Sequence, residues 1–180
     1  RIKKSRPPLL MNENRSTLIH AGNIEDDIDH IDDADWLVEA VVERINIKKS
    51  IYANFESIVF HMTDLPYGRG GSPFQNLVIR EVYDTKISAL KVDDGLDTGD
   101  IYLKEDFNIS KGSAQENFSK LSNIVFEKMI PKFLDSALVA KKQVGDIVEF
   151  KRRTPQESDI NTLKNISIEK MYNFVRMLDA

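Results

Sequence analysis

Ser57–Asp100 reads SIVFHMTDLPYGRGGSPFQNLVIREVYDTKISALKVDDGLDTGD, and the rest of the chain is organised around it. It opens on an apolar run, Ile58-Val59-Phe60, which predicts a short buried strand ending at His61. The chain then enters a Pro- and Gly-rich segment. Its PYGRGG lacks the Lys-Ser/Thr of a phosphate-binding loop and is expected to form a pocket wall and turn. A second apolar segment, Ile87 to Val92, predicts another strand and leads into the turn DDGLDTGD. One strand delivers a His into a loop and a later one delivers an Asp into a turn, a common way to build a site at one edge of a sheet. His61 and Asp97 are therefore the candidate catalytic pair. Taken alone, a His after an apolar strand is often structural, and Asp97 would serve equally as a turn residue.

Two linked motifs here carry a resemblance. HMTDLPYGRGGSP, followed by TKISALKVDDGLDTGDIYL, resembles the 10-formyltetrahydrofolate-dependent formyltransferases, a family that includes methionyl-tRNA formyltransferase and the nucleotide-sugar N-formyltransferases. The resemblance extends over about residues 48–180. The family motif runs Asn-x-His-x-Ser-Leu-Leu-Pro-x-x-Arg-Gly, with a Leu-Asp-x-Gly turn after it. His61, Leu65, Pro66, Arg69 and Gly70 fall on the first element, and Leu96, Asp97 and Gly99 on the second. The resemblance implies a catalytic pair of His61 and Asp97, and a site for the formyl donor 10-formyltetrahydrofolate at Leu65, Pro66, Arg69 and Gly70. It also implies that an amine attacks the formyl carbon while Asn and His hold the oxyanion and Asp orients the His. Here the Asn position is Val59, which cannot donate, and Asp64 departs from the Ser-Leu-Leu-Pro element. Gln75 and Asn76 are candidates for the missing donor.

Upstream, residues 1–23 are expected to be irregular, with Pro7-Pro8 and turn-favouring Asn12, Asn14 and Gly22. NIEDDIDHIDDAD holds seven carboxylates between Glu25 and Asp35. Ile24, Ile28 and Ile31 recur at helical spacing, so the pattern predicts a short helix with a solvated acidic face. The Gly and Glu of a calcium loop are out of register, and no calcium site is expected. Trp36 to Val42 predicts a buried strand and INIKKSIYANFES a helix. With the Ile58 strand they would form a parallel crossover unit. KKSRPPLL and GNIEDDIDHIDDADWLVEAVVERINIKKSIY are similar to the NAD-binding domain of 3-hydroxyacyl-CoA dehydrogenases, a resemblance over about residues 1–50 that would place Glu43 and Lys48 near the cofactor. The Gly-rich turn and the acidic ribose-binding residue are missing, so NAD binding is not expected.

Downstream, Ile101-Tyr102-Leu103 predicts a strand. Ser113 to Leu138 predicts a long helix with Phe118, Leu121, Val125 and Met129 on one face, a Ser113/Glu116 capping box, and a break or kink at Pro131. Val144-Gly145-Asp146 predicts a turn, Ile147 to Lys151 a strand, and Ser167 the start of a last helix. FKRRTPQESDI and YNFVRMLDA resemble the nucleotide-sugar branch of the formyltransferases. That resemblance implies acceptor binding by Arg152 and Arg153, whose guanidinium forks suit phosphate. A solvated basic loop is the competing reading.

Composition fits this frame. The 180 residues carry a net charge of −4, giving no general basic footprint for nucleic acid, and they include no cysteine. Thiolate chemistry, disulfides and Cys-ligated zinc are excluded, no metal site is expected from the three histidines, and a cytoplasmic location suits the chain. The expected fold is α/β and Rossmann-like, a mostly parallel sheet flanked by helices of formyltransferase-core type, incomplete at both ends. The expected parts are a partial Rossmann-like segment (1–47), a formyltransferase-like core (48–140) and a C-terminal, acceptor-side segment (141–180). The expected function is formyl transfer to an amine, with a nucleotide-linked amino sugar ranked ahead of methionyl-tRNA. A noncatalytic or incomplete Rossmann-like module and an NAD-binding dehydrogenase fragment are the alternatives.

Overall fold

The computed structural model describes residues 56–178 except 165, together with residues 17, 19, 20, 22 and 27. Nearly all of the expected acidic helix, the Trp36–Val42 strand, the helix before Ser57, and Glu43 and Lys48 lie outside the described residues. The chain divides into two compact units, Arg1–Ile45 and Asn46–Ala180. All the strands and helices described below belong to the second unit.

Three strands form one sheet: β1 (Ile58–His61), β3 (Asp84–Lys91) and β4 (Ile101–Asn108), in the order β1-β3-β4. Both pairings are antiparallel. A further strand, β2 (Tyr67–Gly70), runs parallel to β5 (Val148–Phe150). The PYGRGG segment is therefore a strand rather than the expected turn, and its glycines explain the difference. Gly68 and Gly70 have φ of 81° and 105°, and a side chain at Gly70 would run into the Phe150 carbonyl. Without side chains there, β2 lies close against β5.

β3 is buried on both faces from Ile87 to Leu90 and is the spine of the unit. β1 departs from the buried strand expected for it. Ile58 and Phe60 are half-buried and Val59 is 39% exposed, because β1 is an edge strand of the sheet among the described residues.

Helices cover the sheets, as expected of an α/β fold, but among the described residues two of the three strand pairings are antiparallel where a mostly parallel sheet is expected. α1 (Pro73–Ile79) starts on a proline, whose fixed φ suits a helix's first turn, and buries Phe74, Leu77 and Val78. α2 (Ala114–Ile124) begins at the predicted capping box, with Ser113 accepting from the Glu116 N–H and Glu116 accepting from the Ser113 N–H. Phe118, Leu121, Val125 and Met129 all join the core, as their spacing predicts. The helical path does not break at Pro131. It widens into a π-helical segment at Val125–Met129 and continues as α3 (Ile130–Asp135), with Pro131 in its first turn. A π turn ahead of a proline relieves the clash between its ring and the preceding turn's carbonyl. α4 (Ile168–Arg176) begins at Ser167, which caps it by accepting from the Lys170 N–H. Its Arg176 is buried, donating to the Ile109 and Gly112 carbonyls, and so ties α4 to the loop before α2. Burial lowers that guanidinium's pKa.

Candidate active site

His61 closes β1 and pairs with Ser88 in the middle of β3, while β3 ends at Lys91 opposite Ile58. The Asp97 turn therefore leaves from the far end of β1, and the two motifs do not emerge at one edge as the sequence suggests. At about 3.3 Å per residue, that end lies about 10 Å from His61. The turn is pinched at its base by the Lys91 N–H donating to the Asp100 carbonyl, and it folds back. The Asp97 carboxylate thereby reaches the imidazole, with Oδ2 3.6 Å from Nδ1. Both side chains are largely sheltered, His61 at 10% and Asp97 at 15% exposure.

The ring is held from its other side. Nε2 lies 2.8 Å from the Gly68 carbonyl, which also accepts from the Thr63 hydroxyl at 3.3 Å. A carbonyl oxygen only accepts, so Nε2 carries its hydrogen. Asp97 Oδ2 in turn accepts from the Gly70 N–H at 2.8 Å. Asp97 adopts a φ of 54°, a left-handed conformation that Asp tolerates better than most residues. β2 thus contributes a carbonyl to the His and an amide to the Asp from positions two residues apart, which is why a strand with two positive-φ glycines stands here.

The residues expected at the donor site divide by exposure. Leu65 is fully buried and Pro66 is buried, so both shape the loop from inside. Arg69 and Gly70 are half-buried. Arg69 points its guanidinium at Gln143, donating from Nε at 3.1 Å and Nη2 at 2.8 Å. Asp64 faces β4, where Lys104 bridges its carboxylate and the Leu65 carbonyl. Neither candidate for the missing donor points its amide hydrogens at the pair. Gln75 donates to the Met177 carbonyl, and Asn76 donates to the carbonyls of Gly71, Ser72 and Lys151. These bonds fasten α1 to its surroundings.

Arg152 and Arg153 follow β5, with Arg152 packed beside Gly71, the residue after the Asp97-bound Gly70. Arg152 is exposed. Arg153 turns away: its guanidinium donates to the Glu157 carbonyl and lies 3.9 Å from that residue's carboxylate. It also lines a cavity of about 540 Å³ between α1 and α4, with Val78, Leu163, Lys170 and Phe174, and this cavity includes neither His61 nor Asp97. No cluster of His, Asp and Glu suited to a metal occurs among the described residues. Gln143 and Gly68 escape a reading of the sequence, since neither a lone Gln between two lysines and a valine nor a backbone carbonyl carries a motif. Among the described residues no helix is long and apolar enough to cross a membrane.

Comparison with known proteins finds relatives of both parts of the chain. Residues 2–63 match the family model described as 3-hydroxyacyl-CoA dehydrogenase, NAD binding domain. That match runs past residue 50, the expected limit of this resemblance, and through β1. A methionyl-tRNA formyltransferase of Rickettsia bellii is 30% identical over 158 residues, 86% of this chain and 49% of that protein. The structure of methionyl-tRNA formyltransferase from Clostridium thermocellum matches with a TM-score of 0.70 and 50% identity, over 73% of this chain and 57% of that one. An N-formyltransferase from Helicobacter canadensis, solved with folinic acid and dTDP-3-aminofucose, shares the fold at a TM-score of 0.52 and 22% identity, over 66% and 46% of the two chains. The chain spans between a third and a half of the length of the curated formyltransferases it matches. The chain is thus formyltransferase-like in sequence and in its Rossmann-type α/β fold, and residues 2–63 also resemble the NAD-binding domain of 3-hydroxyacyl-CoA dehydrogenases.

Proposed function

We propose that the unit transfers a formyl group from 10-formyltetrahydrofolate to an amine, with His61 and Asp97 as the catalytic pair. The contact between these two side chains carries the reading, since the chain spends a folded-back turn, two glycines and a left-handed Asp on making it. The family resemblance assigns the steps: the amine attacks the formyl carbon, the His61 N–H steadies the oxyanion, and Asp97 orients the ring. The adduct collapses by breaking the bond to the donor nitrogen, which leaves as tetrahydrofolate with the proton given up by the amine. The Nε2 hydrogen is held by the Gly68 carbonyl in this structure, and in the reading it passes to the formyl oxygen. Arg69 and Gly70 are the half-buried positions that would meet the donor. Arg152 is the cation available to acceptor phosphate, since Arg153 is paired with Glu157.

Two acceptors have support. The 50% identity to a methionyl-tRNA formyltransferase favours aminoacyl-tRNA, and Arg152 in FKRRTP favours a nucleotide-linked amino sugar. The test incubates the chain with 10-formyltetrahydrofolate and each acceptor, and follows tetrahydrofolate release with mass analysis of the acceptor. Formylation of either supports the reading and names the acceptor class. Donor intact with both, in a folded protein, would defeat it.

A further inference from the structure

Gln143 lies between α3 and β5, remote in sequence from both motifs, yet its side chain is the hub beside Asp97. Its Oε1 accepts from Nε and Nη2 of Arg69 at 3.1 and 2.8 Å. Its Nε2 donates to the carbonyls of Asp97 and Gly99, each at 2.8 Å. The orientation of the amide is unambiguous, because Arg can only donate and carbonyls can only accept. A local bridge fixes the segment: Ile101 and Lys141 exchange two backbone hydrogen bonds at 2.7 and 2.8 Å, two residues before Gln143. The grip falls on both sides of Thr98, within the turn whose first residue in the grip, Asp97, is held in the disfavoured left-handed region.

We infer that Gln143 is a positioning residue, whose amide holds the backbone of the Asp97 turn so that the carboxylate faces His61. This rests on the reading of His61 and Asp97 as a working pair. The rival role is a tether for Arg69 alone. Substitution separates the two. Gln143→Glu keeps the size and strengthens the partner for Arg69, but sets an oxygen against two carbonyls. Gln143→Met keeps the volume and loses both sets of bonds. Positioning requires both variants to disturb the pair, and a tether requires only the second to do so.

The experiment uses the full chain with ¹⁵N-labelled histidine, and His61 is assigned by the signal lost in His61→Gln. Asp97→Asn gives the Nδ1 shift of a ring without its carboxylate. The expected result is that Gln143→Glu and Gln143→Met both move Nδ1 most of the way to the Asp97→Asn value, with circular dichroism unchanged. Formyl transfer in Gln143→Glu then falls about tenfold in kcat at an unchanged KM for the donor, as loss of two ordinary hydrogen bonds implies. An Nδ1 signal in Gln143→Glu identical to that of the unaltered chain overturns the inference, whatever the Met variant does. The spectra need no turnover, so a chain without formyl transfer would defeat the proposed function and leave this result standing.

Discussion

Replacing Val59 by Asn restores the donor that the formyltransferase motif carries two residues before its His. Alternation along β1 puts Val59 on the same face as His61, and its cross-strand partner is Leu90. Fully burying a Val side chain is worth about 1.5 kcal/mol at the low end, and Val59 is 39% exposed, so its loss costs about 1 kcal/mol. For a domain of this size that is a fall of about 2–4 °C in melting temperature. A half-exposed amide keeps contact with water, so no large penalty for an unpaired polar group adds to it. Against this stands one oxyanion donor, about 2.7–4 kcal/mol of barrier or about 100- to 1000-fold in rate. The two effects appear in separate measurements, melting followed by circular dichroism and turnover followed by tetrahydrofolate release. The expected outcome is a slightly less stable protein with kcat raised by up to that factor. A variant that melts within a few degrees of the parent but shows no gain in kcat would mean that Val59 does not face the reacting carbon, and the expected gain would be unfounded.

Three further outcomes are expected. Ser113→Ala removes the cap of α2 and costs about 1 kcal/mol, read from the urea midpoint at constant m. Burial, helped by a hydrogen bond to Glu56, pushes the Tyr102 phenol up to about 12. The folded state then keeps a proton that the unfolded state gives up near pH 10, so this contribution is whole below pH 10 and is lost as pH rises toward 12. Tyr102→Phe should flatten that part of the stability profile, and an unchanged profile would contradict the assignment. Calorimetric titration of these 180 residues with NAD should show no binding at micromolar concentration, because they contain no G-x-G-x-x-G turn to hold a pyrophosphate.

Much of the frame is legible in the sequence because it rests on local signals. The Ser113/Glu116 box, the apolar spacing from Phe118 to Met129, and the strand beginning at Ile101 depend on residues close in sequence, and the structure has them where the pattern puts them. The pairing of His61 with Asp97 is legible only through two motifs read together, because apolar runs do not say which strand ends meet. The pattern misplaces the geometry of that meeting. Antiparallel pairing of β1 with β3 sends the two ends apart, and the back-folded turn brings Asp97 home. Gly68 and Gly70 read as loop residues because their strand depends on a partner, β5, far along the chain. Gln143 gives no signal at all, since a hydrogen-bond hub is defined by what the fold brings to it. Proline alone implies a kink at Pro131, and the π turn that absorbs it is a property of the packed helix.

If His61 and Asp97 act as one unit in formyl transfer, a double-mutant cycle will show it. Single-turnover formyl transfer is measured for the parent chain, His61→Gln, Asp97→Asn and the double variant, with folding checked by circular dichroism. A joint role predicts that each single change lowers the rate by about 100-fold or more, and that the double variant is little slower than either, as for groups that work only together. Rates that multiply independently in the double variant, or single variants that keep the parent's rate, would contradict it.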